Sequence, residues 1–156
     1  MKITTLFKGV RFLLIVLAVT LNFQNTDSQV WSQLGTGTNS DVYAMTVFGT
    51  DLIAAGSFTV AGGQLVNRIA RWNGTSWLPL GLGVNGDVYA LISFNGFLIA
   101  GGSFTTAGGI PANKFAVWNG SSWTTWSSGF NGDVFAFTVQ GQNLIAAGNF
   151  TTAGGL

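Results

Sequence analysis

Side-chain chemistry needs acids, bases, nucleophiles or metal ligands, and this chain holds few of them. Its acids are Asp27, Asp41, Asp51, Asp87 and Asp133, and there is no Glu, no His and no Cys. Without His there is no Ser-His-Asp triad and no imidazole ligand. Without Cys there is no thiolate metal site, nucleophilic thiol or disulfide. Carboxylate acid–base catalysis would need two Asp brought together, and these five lie far apart in sequence. Three of them, Asp41, Asp87 and Asp133, recur every 46 residues. One Asp per unit around a common axis would be a cation ring, but a hard cation needs several oxygens from one locale. Each of the three follows a turn and opens an apolar run, where Asp accepts backbone N–H bonds. The turn role is the expectation. No catalytic residue, metal or cofactor is expected, and the chain does not read as an enzyme.

Charged residues make up 7% of the chain, against about 25% in ordinary domains. Beyond Arg11 the basic residues are Arg68, Arg71 and Lys114. A nucleic-acid surface needs clustered Lys and Arg, so no nucleic-acid partner is expected.

Aromatic residues are the other chemical resource. Trp31, Trp72, Trp77, Trp118, Trp123 and Trp126 could stack on sugars, yet most recur at fixed positions, where packing between repeated sheets wants large rings. Core packing is therefore the expectation for them. Trp126 breaks the repeat, because Leu34 and Leu80 occupy the corresponding positions, and it is the one candidate ligand-binding residue. The loops TVAGG (59–63), TTAGG (105–109) and TTAGG (151–155) resemble phosphate cradles only in their glycines. They lack the Lys and the following helix of a P-loop, and a turn needing positive φ explains the glycine. Asn73, Asn119 and Asn149 each begin an N-x-[ST] triplet. In the first two, turn chemistry explains the Asn-Gly pair.

The elements that must position these residues come from one repeated unit. Trp31, Trp77 and Trp123 share the interval of 46, as do Phe58, Phe104 and Phe150; Trp72 and Trp118 repeat it, and so do Asn67 and Asn113. The register runs without a gap. One unit reads as four strands: residues 87–94 (DVYALISF), 97–104 (FLIAGGSF), 114–118 (KFAVW) and 122–126 (SWTTW). Asn95-Gly96 supplies a hairpin turn between the first two, and Asn119-Gly120 one between the last two. A Gly-rich loop spans 105–111. The first two strands are almost continuously apolar, the mark of strands covered on both faces. Such a sheet must stack on neighbours. Four-stranded antiparallel sheets repeating at this length predict an all-β fold of β-propeller blades, here an incomplete ring.

The run Leu98-Ile99-Ala100-Gly101-Gly102 resembles the apolar-run-plus-double-Gly mark of kelch repeats, and Phe115-Ala116-Val117-Trp118-Asn119 followed by Trp123 resembles their aromatic half. Trp stands where kelch repeats usually have Tyr, and the other units read Ala55-Gly56 and Ala147-Gly148. The fuller pattern W-N-G-[ST]-S-W … N-G-D-V-[YF]-A … F-T-x-A-G-G is similar to propeller repeats of large secreted bacterial surface proteins and of fungal cortical polarity markers. The resemblance covers nearly all of residues 30–156. It implies a kelch-like, galactose-oxidase-type propeller and no catalytic residues.

The N-terminus reads as an export signal over residues 1–28. Lys2, Lys8 and Arg11 precede an apolar run of ten, residues 12–21 (FLLIVLAVTL), and a polar exit follows. A membrane span needs about 20 apolar residues, so an uncleaved anchor is the lesser reading. Cleavage is placed before Gln29, leaving no membrane span in the mature chain. Residues 29–156 then hold the last strand of one blade, two full repeats and half of a third, as expected of the N-terminal piece of a longer propeller. A closed ring needs at least four blades, so alone the chain would expose sheet edges and apolar faces.

The expected function is a non-catalytic scaffold, secreted or at the cell surface, that binds a protein or glycan partner. The alternatives are a lectin-like carbohydrate-binding propeller and an accessory segment of an exported enzyme whose catalytic part lies beyond residue 156.

Overall fold

The computed structural model describes residues 32–154. The proposed signal segment, its cleavage site and Trp31 lie outside them. The first unit runs β1 (Val42–Phe48), β2 (Asp51–Gly56), β3 (Val60–Ala61), β4 (Gln64–Leu65), β5 (Ile69–Trp72) and β6 (Trp77–Pro79). The second repeats it as β7 (Val88–Phe94), β8 (Phe97–Gly102), β9 (Thr106–Ala107), β10 (Ile110–Pro111), β11 (Phe115–Trp118) and β12 (Trp123–Thr124). The third contributes β13 (Val134–Gln140) and β14 (Asn143–Gly148). The described residues are all-β, and every strand pairing is antiparallel. Each complete unit is a four-stranded meander, ordered β1-β2-β5-β6 and β7-β8-β11-β12.

The turns follow from local chemistry. Asn95 and Gly96 take φ of 49° and 79°, as a two-residue turn joining right-twisted strands requires. The Trp72–Trp77 and Trp118–Trp123 connections differ from the Asn-Gly hairpins expected. Each is a four-residue loop in which an Asn side chain stands in for backbone: Asn119 Oδ1 accepts from Ser121 N at 3.0 Å and Ser122 N at 2.9 Å, and Asn73 does the same for Thr75 and Ser76. The Gly-rich loop is also more than a loop. Gly108 and Gly109, both at positive φ, fold it into a small hairpin that pairs Ala107 with Ile110.

The three sheets stack face to face in chain order. Ile53, Ala55 and Ile69 of the first meet Val88, Leu98, Ala100, Ala116, Trp118 and Trp123 of the second in one core. Ile99, Phe115 and Val117 of the second meet Phe130, Phe137 and Leu144 of the third in another. Burying each such aliphatic or Phe side chain contributes about 1.5–3 kcal/mol. β8 lies between two neighbours and is buried along nearly its whole length. β1 instead alternates in burial, because among the described residues the first sheet has a neighbouring sheet on one face only.

Two glycines explain the double-Gly mark. A Cβ on Gly102 would sit 2.0 Å from the carbonyl oxygen of Asp87, and Gly56 and Gly148 face Asp41 and Asp133 in the same way. The pairing shifts register beside each of them, so the second Gly is a backbone requirement of every unit. The first Gly is local. A Cβ on Gly101 would lie 2.7 Å from the Phe137 ring. The position corresponding to Phe137 in the second unit is Leu91, which packs against the core that contains Ala55, the first unit's counterpart of Gly101, so the larger ring goes with the smaller residue.

Candidate functional site

The structure spreads the carboxylates out. Asp87 Oδ1 lies 3.3 Å from Arg68 Nε and Asp133 Oδ1 lies 3.7 Å from Lys114 Nζ. Each pair joins a basic residue of one unit to the Asp that opens the next. Neither Asp carboxylate takes the turn N–H groups expected of it. Ser103 N and Asn149 N are instead held by the backbone carbonyls of Asp87 and Asp133, at 2.9 and 3.1 Å. Among the described residues no three Asp side chains come together.

The true clamp of that turn is an asparagine two residues earlier. Asn85 Oδ1 accepts from Thr105 N at 2.8 Å and Thr106 N at 2.9 Å, while its Nδ2 donates to Thr105 Oγ1. Asn39 and Asn131 repeat the arrangement on Thr59–Val60 and Thr151–Thr152. The N-G-D pattern contains two of these residues, and the signal that would have picked them out is their fixed distance from the F-T motif.

The Trp residues sit on the later strands of each sheet. Trp72 and Trp77 pair across β5–β6 with ring centroids 5.6 Å apart, and Trp118 and Trp123 across β11–β12 at 5.4 Å. Trp77 and Trp123 are buried, and their indole N–H groups donate to the carbonyls of Leu34 and Leu80, at 3.0 and 2.8 Å. Phe58 and Phe104 are fully buried, and Phe150 stacks on Phe130 at 4.5 Å. Trp126 is 47% exposed. One edge meets Phe97 at 5.4 Å and its flank meets Phe115 at 6.2 Å, so half of the ring remains open. A second aromatic feature runs along the first strands of all three units: Tyr43, Tyr89 and Phe135 form a row with centroids 5.7 and 5.6 Å apart. Tyr43 and Phe135 are exposed at its ends.

The site with most chemical content lies between the first and second sheets. Asp51, Arg71, Ser93, Trp118 and Ser121 line a cleft of about 660 Å³. Arg71 Nη1 donates to Asp51 Oδ2 at 2.9 Å, and the two side chains are 44% and 18% exposed. The pair departs from the repeat: the second unit has Phe97 and Val117 in the same places, and Phe97 is capped by Trp126. The first junction is thus polar and open where the second is apolar and filled. The test that singles out Trp126, a break in the repeat, also singles out Asp51 and Arg71 when applied to charge. A guanidinium–carboxylate pair with free N–H donors beside serine hydroxyls and an indole can hold a ligand rich in hydroxyl or carboxylate groups. Compared with family models, curated proteins and solved structures, the chain gives no match.

Proposed function

We propose that this chain is a non-catalytic binding scaffold, exported and held outside the cell, whose stacked sheets are blades of a kelch-like β-propeller. The observation that carries the binding role is the Asp51–Arg71 pair in the open cleft between two otherwise repeating sheets. A scaffold position has no need to replace an apolar pair by an ion pair, since a part-exposed pair adds at most about 1 kcal/mol. A ligand that uses its donors and acceptors supplies the reason. The propeller reading is supported by the unbroken period of 46 and by sheets that bury apolar faces against one another.

The partner is a protein or a glycan. The glycan reading is favoured by the serine hydroxyls that line the cleft beside the Asp51–Arg71 pair; Trp118 forms the cleft floor but is only 8% exposed. The test is binding of the secreted chain to a glycan array and to extracellular-matrix proteins, repeated with Arg71→Ala and Asp51→Ala. Binding lost in both variants supports the cleft. Binding untouched by either removes the basis of the proposal.

A further inference from the structure

Asn-Gly pairs stand at Asn73-Gly74, Asn85-Gly86, Asn95-Gly96, Asn119-Gly120 and Asn131-Gly132. Such a pair can react with itself. Glycine has no side chain to obstruct its own amide nitrogen, so that nitrogen can reach the carboxamide carbon, Cγ, of the preceding Asn. The reaction needs a carboxamide free to rotate and a glycine backbone free to move. All of these Asn residues are exposed, so the fold separates them by what holds them and not by access to water.

The pairs at 73, 85, 119 and 131 are tied down. Asn73 Oδ1 accepts from Thr75 N and Ser76 N, and Asn119 Oδ1 from Ser121 N and Ser122 N. Asn85 Oδ1 accepts from Thr105 N and Thr106 N, and Asn131 Oδ1 from Thr151 N and Thr152 N. Each carboxamide is fixed by two backbone donors, and turning it breaks both bonds. The glycines after Asn85 and Asn131 are packed as well. A Cβ on Gly86 would lie 2.7 Å from Phe104 Cα, and one on Gly132 2.7 Å from Asn149 Oδ1.

Asn95 is placed differently. It sits at the tip of the β7–β8 hairpin, beyond the last paired residues, Phe94 and Phe97. The backbone clamps fall on the other four Asn residues and not on it. A Cβ on Gly96 would meet nothing within 4 Å. The pair also breaks the repeat. The corresponding turns are Gly49-Thr50 and Gly141-Gln142, with φ of 61° at both glycines, so the turn itself does not require Asn.

We propose that Asn95 is the site at which the folded chain modifies itself by deamidation. Gly96 N gives up its proton to solvent base and bonds to Asn95 Cγ. The Cγ–Nδ2 bond breaks, and the nitrogen takes up a proton and leaves as ammonia. Water then opens the five-membered imide: attack at Cγ yields Asp, and attack at the backbone carbonyl yields isoaspartate. No electrons are gained or lost. Either product adds a carboxylate, and isoaspartate also lengthens the main chain by one carbon within a two-residue turn. Gly96 lines the cleft in which Asp51 and Arg71 are the charged lining residues, so a balanced ion pair acquires net negative charge at its rim. The modification owes nothing to the binding or propeller readings, and either can fail without it.

The test is peptide mass mapping of the full chain after incubation in mildly alkaline buffer, once folded and once unfolded in urea. Deamidation adds about 1 Da to the peptide that carries it. In the folded chain Asn95 should react about tenfold or more faster than each of the other four, since two clamp bonds must break at each of those. In urea the five rates should draw together. Asn95→Gly, which copies the turns at Gly49 and Gly141, should keep the urea midpoint of the native chain and remove the main acidic species from ion-exchange chromatography. Equal rates in the folded chain would overturn the proposal. So would a lead for Asn95 that persists undiminished in urea, because neighbouring sequence and not the fold would then set it, and so would an acidic species that survives Asn95→Gly.

Discussion

Replacing Trp123 with Ala should be among the most damaging single changes in the chain. The side chain is 6% exposed, its ring rests on Trp118, and its N–H donates to the Leu80 carbonyl across the junction between the first and second sheets. A buried aromatic of this size removes about 150–250 Å² from water, which at about 25 cal/mol per Å² amounts to about 4–6 kcal/mol. The alanine keeps a small share of that burial, so the expected loss is about 3–5 kcal/mol. Trp123→Phe retains most of the apolar contact and leaves the Leu80 carbonyl without its donor, a loss of about 1–3 kcal/mol. Asp87→Asn gives the comparison. Its pair with Arg68 has side chains 29% and 34% exposed, and such pairs contribute about 0–1 kcal/mol. Urea melts followed by far-UV circular dichroism would rank the three variants. If Trp123→Ala cost less than about 1 kcal/mol, or no more than Asp87→Asn, the inter-sheet core would not be what holds the units together.

Gly101→Ala should cost about 1–3 kcal/mol by overpacking, because its Cβ meets Phe137 and Val134; Phe137→Leu in the same chain should return part of it, and a double-mutant cycle with no coupling would refute the size match. Gly102→Ala should be at least as damaging and should not be rescued, since it meets backbone. Asn85→Ala removes the acceptor of two backbone N–H groups and should lower stability by about 1–2 kcal/mol, with faster amide exchange at Thr105 and Thr106; unchanged exchange there would contradict the clamp. N-terminal sequencing of exported chain should begin near Gln29, and material still starting at Met1 would overturn the export signal.

The strands and their order were legible in the sequence because they depend on local chemistry repeated three times. Residues 87–94 and 97–104 became β7 and β8 with ends shifted by no more than two residues, and the turn at Asn95-Gly96 formed where positive φ is cheapest. The small β9–β10 hairpin was less visible, since two glycines mark a bend without saying which residues pair across it. Contacts between units were out of reach. Asp87 reads as a turn residue until Arg68, nineteen positions earlier, is brought against it by sheet stacking. The size match of Gly101 to Phe137 likewise joins residues of different units. The cleft needed the stacking too, because Asp51 and Arg71 look like scattered surface charge until β2 and β5 set them side by side and Trp118 of the next sheet closes the far wall. Period, polarity and turn chemistry act within a few residues and so are written along the chain. Pairing of charges and fitting of rings act across a 10 Å gap between sheets, and only the packed structure decides them.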